Sequence, residues 1–486
     1  MSKCTFIDLF SGCGGFSLGL KRAGLRCLAA IDNDPVAIKT YARNFPNTPL
    51  VLEWDLKSFH PQRLQKLLQH RTKVDLIVGG PPCQGFSVVR KVDGANNGRR
   101  FVDDPRRSLY KEFLRYVKHF EPRVFVMENV PGIKSAAGGG FFTEVQAQAR
   151  TLGYRVHWEE IHACLFGVPQ KRVRHLIIGT RSDLPVFSSQ QFIQHTHQAP
   201  QAKANGGNVQ SGVSKSTRRK PPVTLWEAIG DLPPLDAGDG AYQTKYDVKR
   251  RKKQVSRYGS WYTRHVLETG RVKWLTSHVS RPHSERDLRD FARLHEGEHS
   301  AEAIARRVRM EFPYNRDHFK DRYTRQHRNR LCSTILAHLS KDGLMFIHPT
   351  QNRSLTPREA ARVQSFPDWF VFPSLQTDAF RLIGNAVPPL VGGHPDFVFR
   401  KQRVAVFVDG CFWHSCARHA NLPVNNKKFW ARKLSANRDR DKRVTLKLRR
   451  DRWKVVRIWE HELKRPENVV RKIALALGRE ISPVRR

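Results

Sequence analysis

Apolar positions follow two rhythms over the first ~180 residues. Short dense runs, "CTFIDLF" (4–10), "LRCLAAID" (25–32), "VDLIVGG" (74–80) and "PRVFVMENV" (122–130), have the β-branched content of buried strands. Between them, "PVAIKTYARNF" (35–45) and "SLYKEFLRYVKHF" (108–120) are amphipathic and predict helices. Strand–helix alternation predicts an α/β fold whose parallel sheet is covered on both faces. The pattern then fades. Residues 185–222 are rich in Gln, Ser, Gly and Ala and predict a linker. From there to about 345 the chain is basic with interleaved aromatics, as in "KYDVKRRKKQVSRYGSWYTRH" and "RDHFKDRYTRQHRNR". Patterned sequence returns over 353–391, and a further segment opens at 393 with 25 Lys and Arg against 9 Asp and Glu.

Composition narrows the partner. The 486 residues leave room for two or three domains. With 39% hydrophobic residues, no signal peptide and no apolar run of transmembrane length, a cytoplasmic protein without a membrane partner is expected. The 8 cysteines are scattered, unlike a secreted disulfide framework, and only Cys411 and Cys416 are close enough to share a ligand. Lys plus Arg number 86 against 44 Asp plus Glu, a net charge of +42. Such a surplus points to a polyanion, ordinarily nucleic acid.

Candidate chemistry gathers where the predicted strands end. "FIDLFSGCGGFSLGL" (6–20) joins strand to helix through Gly12, Gly14 and Gly15, a turn that lets a ligand approach the backbone and the helix N-terminus. Asp32 follows Gly12 by 20 residues at the end of the next strand, placed to accept from ribose hydroxyls. Asp55 stands where a third strand would end, and together these outline an adenosine-type pocket. In "GGPPCQGFS" (79–87), Cys83 follows two prolines that fix φ and donate no hydrogen bond. One strand later come Glu128 and Asn129; a thiolate is a strong nucleophile, and an adjacent carboxylic acid can donate or accept a proton. Gln170, Arg172 and Arg174 alternate before a strand, a spacing that aims them to one face. Each has an ordinary structural explanation alone; their joint occurrence argues for a site.

Across about residues 4–391 the chain resembles bacterial DNA (cytosine-5)-methyltransferases, in "DLFSGCGG", "GGPPCQGFS", "ENVPG", "GVPQKRVR", "RSLTPREAARVQSFP" (353–367) and "RLIGNAVPP" (381–389), in that family's order. The resemblance implies a Rossmann-like S-adenosylmethionine-dependent catalytic domain at 1–182, a linker and target-recognition domain at 183–350, and a return to the catalytic domain at 351–392. It implies that Cys83 adds to C6 of a cytosine flipped out of double-stranded DNA, that Glu128 holds the N3 edge, and that Arg172 and Arg174 steady the base and its phosphate. It implies that Phe10, Gly12 and Gly14 line the cofactor pocket, that Asp32 takes the ribose and Asp55 the adenine amine, and that Asn385 closes the far end. A monomer with a companion restriction endonuclease would suit the family. A tRNA-directed branch shares the Cys83 motif and stays open as an alternative.

The tail, 393–486, reads differently. "PDFVF" and "VAVFVDG" predict two strands carrying Asp396 and Asp409, the spacing of a metal-dependent nuclease core. Cys411, Cys416 and His419 form C-x4-C-x2-H, with His461 a candidate fourth ligand for zinc; spacing alone leaves this open. "PDFVF", "GCFWH", "KFWARKLSANRDRD" and "WEHE" resemble the very short patch repair (Vsr-type) endonucleases, an α/β restriction-endonuclease-like fold that nicks DNA beside T·G mismatches. That resemblance implies Mg²⁺ on Asp396, His414 assisting water, Phe412, Trp413 and Trp430 wedging beside the mismatch, and structural Zn²⁺ on Cys411, Cys416, His419 and His461. A non-catalytic zinc or DNA-binding module is the alternative for this segment.

Overall fold

The computed structural model describes residues 4–69, 73–82, 109–133, 140–184, 195–200, 220–245, 261–269, 272–311, 323–341 and 343–392, and in the tail 397–399, 404–409, 445–446, 449–450, 454–459, 472 and 475–476. Cys83, Asp396, Cys411, His414, Cys416, His419 and His461 lie outside these residues, as do Phe412, Trp413, Trp430 and most of the 185–222 linker.

The elements of the first part are β1 (Thr5–Leu9), α1 (Gly15–Arg22), β2 (Arg26–Asp32), α2 (Pro35–Asn44), β3 (Leu50–Glu53), α3 (Pro61–Leu67), β4 (Leu76–Gly79), α4 (Leu109–Phe120), β5 (Val124–Asn129), α5 (Gly140–Thr151), β6 (Tyr154–His162) and β7 (Val173–Arg181). Their seven strands form one sheet in the order β3-β2-β1-β4-β5-β7-β6. The four apolar runs form the expected parallel sheet as β2, β1, β4 and β5, while β7 runs antiparallel to both β5 and β6 at one side. On one face Ile7, Leu9, Ile77, Phe125 and Met127 pack against Leu64, Phe113, Tyr116, Val117 and Val145 from α3, α4 and α5. On the other, Phe6, Cys27 and Val78 meet Phe16 and Leu20 of α1. Helix α2 starts where it does because the Asp34 carboxylate accepts from the amides of Val36 and Ala37 and Pro35 occupies the first turn.

The order reverses direction between β1 and β4. In an open α/β sheet that switch point is where strand ends diverge and leave a crevice for ligands.

The second part contains α6 (Leu225–Ile229), the ribbon β8 (Gly240–Lys245) and β9 (Trp274–Val279), α7 (Glu285–Arg293) and α8 (Ser300–Ala305). Phe291, Leu294, Ala303, Met310, Tyr323 and Ile347 form a small core of its own. The chain then returns through α9 (Pro357–Val363), α10 (Gln376–Asn385) and α11 (Pro389–Gly392). Thr356 and Glu359 form a reciprocal capping box that starts α9. The return packs on α1 so closely that a Cβ at Gly15 would lie 2.3 Å from the Val387 carbonyl oxygen. In the tail, β10 (Phe397–Phe399) pairs antiparallel with β11 (Val404–Asp409), which pairs parallel with β12 (Lys454–Trp459).

Candidate active site

The turn after β1 is built for close approach. Phe10, Gly12 and Gly14 all adopt positive φ (54°, 53° and 92°). For Phe10 this is a strained conformation, of the kind concentrated at functional sites. Nothing lies within 4 Å of where a Cβ on Gly12 would sit, so the turn faces open space. No side chain caps the start of α1, leaving its first amides available. Asp32 supports the turn from β2: one carboxylate oxygen accepts from the Gly12 amide at 2.8 Å and the other from the Asp34 amide at 2.9 Å. Burial pushes the Asp32 carboxyl up despite those donors. Asp55 is exposed two residues beyond β3 and accepts from the Lys57 amide at 2.9 Å.

Asp8, one residue inside the end of β1, was not singled out by the sequence. It is 1% exposed and accepts from the Ser17 hydroxyl at 2.6 Å, while Tyr41 donates to Ser17 at 2.8 Å. Burial pushes its carboxyl up to about 8, the Ser17 bond opposing and neighbouring Asp32 adding to the rise. The available signal was an acid placed between apolar neighbours in a buried strand.

Across the switch point, β4 ends at Gly79 and continues through Gly80, Pro81 and Pro82, the residue that precedes Cys83 in sequence. Glu128, at the end of β5, lies directly beside this exit: a Cβ on Gly80 would stand 3.0 Å from its Oε2. A side chain there would press on the carboxylate and require Glu128 to shift by a few tenths of an ångström. Arg174 Nε meets Glu128 Oε1 at 2.8 Å. Asn129 donates from Nδ2 to the Pro81 carbonyl at 3.4 Å, so β5 also holds the proline segment. Its adjacency to Glu128 in "MENV" was the signal for that role.

Gln170 and Arg172 serve a different place from Arg174. Arg172 is 1% exposed and donates to the carbonyls of Ile335 (3.1 Å), Gly384 (3.0 Å) and Ala386 (3.1 Å). Gln170 is buried too, donating to Val363 O at 3.1 Å and accepting from the Ile335 amide at 3.2 Å. The three residues expected on one face thus divide: two bolt the strand to the returning chain and one reaches Glu128. Asn385 is exposed at the end of α10. That helix is tied to the start of α2 by Arg381, which pairs with Asp34 and with Asp378 at 2.8 Å.

Among the described cysteines, burial pushes the thiols of Cys13, Cys27 and Cys332 up to about 12. None of these three supplies a thiolate at neutral pH. Among the described residues no group of His, Cys, Asp and Glu could hold a metal ion, and the tail's expected zinc and magnesium ligands fall outside them. No described helix is long and apolar enough to cross a membrane.

The family model for C-5 cytosine-specific DNA methylase matches residues 4–394. The chain belongs to that family. It is a DNA (cytosine-5-)-methyltransferase by membership, and the family uses S-adenosylmethionine. The type II methyltransferase M.DdeI of Desulfomicrobium norvegicum is 35% identical over 410 residues, covering 79% of this chain and 86% of the relative. The type II methyltransferase M1.HphI of Haemophilus parahaemolyticus is 34% identical over 387 residues, covering 80% and 84%. The crystal structure of a prophage-encoded DNA modification methyltransferase (E. coli) matches with a TM-score of 0.59 at 28% identity, covering 80% of this chain and 96% of that one. A second family model, DNA mismatch endonuclease Vsr, matches residues 379–419, so it begins within α10 and ends at His419.

Proposed function

We propose that this methyltransferase modifies a cytosine flipped out of duplex DNA through a covalent bond from Cys83 to C6. The observation that carries the reading is the Glu128–Arg174 pair, held at 2.8 Å beside the Gly80–Pro82 segment that leads into Cys83. C5 of an intact cytosine is a poor nucleophile. Addition of the Cys83 sulfur to C6 makes C5 enamine-like, and Glu128, oriented by Arg174, engages the N3 edge and favours that addition. The proline segment, pinned by Asn129, limits the thiol's freedom before attack. After methylation the C5 proton departs, the Cys83–C6 bond breaks and the thiolate is restored. Base flipping gives the attack its access, since C6 inside a stacked duplex cannot be approached along the required line.

The pocket residues suit S-adenosylmethionine: Gly12 faces open space, Phe10 and Gly14 shape the turn, Asp32 supports it, and Asp55 and Asn385 are exposed, just past β3 and at the end of α10. When bound, that cofactor supplies an electrophilic methyl group. Arg172 acts as a positioning residue, clamping the β7 approach to the carbonyls after α10. The domain division at 182, 350 and 392 is supported by the end of β7 at Arg181 and the return of the chain onto α1. Relatives named as type II methyltransferases favour duplex DNA over tRNA and a partnership with a restriction endonuclease. For the tail we propose a Vsr-like module, with Asp396 and His414 serving a Mg²⁺-dependent nick and Cys411, Cys416, His419 and His461 holding Zn²⁺; the Vsr match supports it over 379–419.

Bisulfite sequencing of duplex DNA incubated with the protein and S-adenosylmethionine tests the front half. Glu128→Gln should lower the rate by about 10²–10⁴-fold without loss of fold. Equal rates for Glu128→Gln and wild type would reject the assignment. For the tail, Mg²⁺-dependent nicking of a T·G duplex, lost in Asp396→Ala, is the expected result; no nicking by wild type would leave a non-catalytic module.

A further inference from the structure

The loop 327–331 is fastened at every backbone turn, yet two of its side chains have no partner among the described residues. Upstream, Arg325 is buried and donates to the carbonyls of Phe291 (2.6 Å), His348 (2.9 Å) and Gln351 (3.2 Å) and to Asn352 Oδ1 (2.6 Å). Within the loop, Arg328 is neutralised by Glu296, its Nε at 2.9 Å from Oε2. The amides of Trp226 and Leu225 donate to the carbonyls of Arg328 and Arg330, both at 2.9 Å. The Asn329 amide donates to His327 Nδ1 at 3.1 Å and the Arg330 amide to His327 O at 3.2 Å. Downstream, the Cys332 amide donates to Pro169 O at 3.0 Å and the Lys171 amide to Cys332 O at 2.9 Å. What remains exposed is the pair Asn329 and Arg330.

Strand direction says where that pair points into the fold. Because β7 runs against β5, it begins at the edge where β4 and β5 end, and residues 169–171 lie beyond that edge. Cys332 bridges Gln170 there, two residues from Arg330 and, across the bridge, four from Arg174. Six extended residues reach at most about 20 Å, and the step across the bridge adds roughly 5 Å. The backbone at Arg330 therefore lies within about 25 Å of that at Arg174, which pairs with Glu128 at the same sheet edge. An arginine fork matches guanine O6 and N7, and an asparagine amide matches adenine N6 and N7. A rigid backbone holding both planar groups suits base edges better than it suits phosphates, which flexible cations serve equally well.

We propose that Asn329 and Arg330 read base edges flanking the target cytosine and set part of the site specificity. This rests on the DNA-methylating reading above. The test uses the full chain and a duplex library randomised around cytosine, methylated with S-adenosylmethionine and read by bisulfite sequencing. Arg330→Ala and Asn329→Ala should each lower methylation of the preferred site on the order of 10- to 100-fold and relax preference at one base position. Arg330→Lys, which keeps the charge but loses the fork, should relax the same position. A uniform drop across all sequences would identify phosphate contacts instead and overturn the proposal, as would an unchanged preference. Unaltered binding of S-adenosylhomocysteine by calorimetry shows that the variants fold. If wild type methylates no duplex at all, the parent reading fails; if wild type has a preferred site that the variants share, this inference fails alone.

Discussion

Two regions of the molecule bury acidic side chains by opposite means. Beneath the turn after β1, Asp8 accepts from Ser17 and is paired with no cation among the described residues, and its carboxyl is pushed up to about 8 by burial. In the returning segment, Glu359 is fully enclosed too, but Arg353 donates to it at 2.7 and 2.9 Å. Burial alone would raise Glu359; the Arg353 charge and hydrogen bonds outweigh it and hold the carboxyl far below the usual range. Arg362 likewise joins Asp368, with contacts of 2.8 Å, to Asp231. Arg358, also buried, donates to the carbonyls of Thr276 (2.8 Å) and Phe370 (2.8 Å). The contrast separates two tasks. The first region keeps open space and uncapped amides at the start of α1; the second ties 231, 276 and 359–370 into one body.

The largest break in that comparison is Arg362→Ala. It removes the guanidinium shared by the buried carboxylates of Asp231 and Asp368 and should cost about 3–5 kcal/mol of unfolding free energy. Urea denaturation reads this directly, and a loss below about 1 kcal/mol would mean that the pairs do not carry the return. Acid should expose the same region next. Burial, chiefly, lowers His283 and His348 to about 4, whereas an unfolded histidine titrates near 6.5. The unfolded chain therefore takes up protons at these two sites first, so their contribution to stability is intact above pH 6.5 and is lost as pH drops from 6.5 toward 4. Two such groups give a slope of up to about 2–3 kcal/mol per pH unit. Stability that stays flat down to pH 4.5 would contradict it.

Asp8 has the reverse sign. Its raised folded pKa means stability is complete below about 3.8 and is lost as pH rises toward about 8. Asp8→Asn, which still accepts from Ser17, should gain roughly 2 kcal/mol at pH 8 and lose that gain at pH 4. The smallest effect on folding belongs to Gly12→Ala. The left-handed backbone costs about 1 kcal/mol, since no atom clashes. Affinity for S-adenosylhomocysteine, measured by calorimetry, should nevertheless fall at least about tenfold, because the methyl group enters the space the turn leaves open.

Much of the first region was legible in the sequence. The four apolar runs became β1, β2, β4 and β5, and the two amphipathic stretches became α2 and α4, because burial of one face writes a period into the residues. Strand direction leaves no such trace, which is why the reversal of β7 was missed. The motif 353–367 was legible as a family signature, but the inward course of Arg353, Arg358 and Arg362 to a carboxylate or a set of carbonyls was not. Arg172 stood out as a candidate, but its bonds to three interior carbonyls rather than toward a base depend on the returning chain. Glu128 and Arg174 stood out as candidates, while their contact depends on β5 and β7 lying side by side, a fact of topology.

The most direct test of the central claim is covalent trapping. The purified protein, S-adenosylmethionine and duplexes carrying 5-fluorocytosine in varied contexts are combined and run on a denaturing gel. Fluorine cannot leave C5 as a proton does, so addition through Cys83 should leave a denaturant-resistant protein–DNA adduct that is absent in Cys83→Ala. An adduct that persists in Cys83→Ala, or no adduct with a protein that methylates unmodified duplex, would contradict the covalent mechanism.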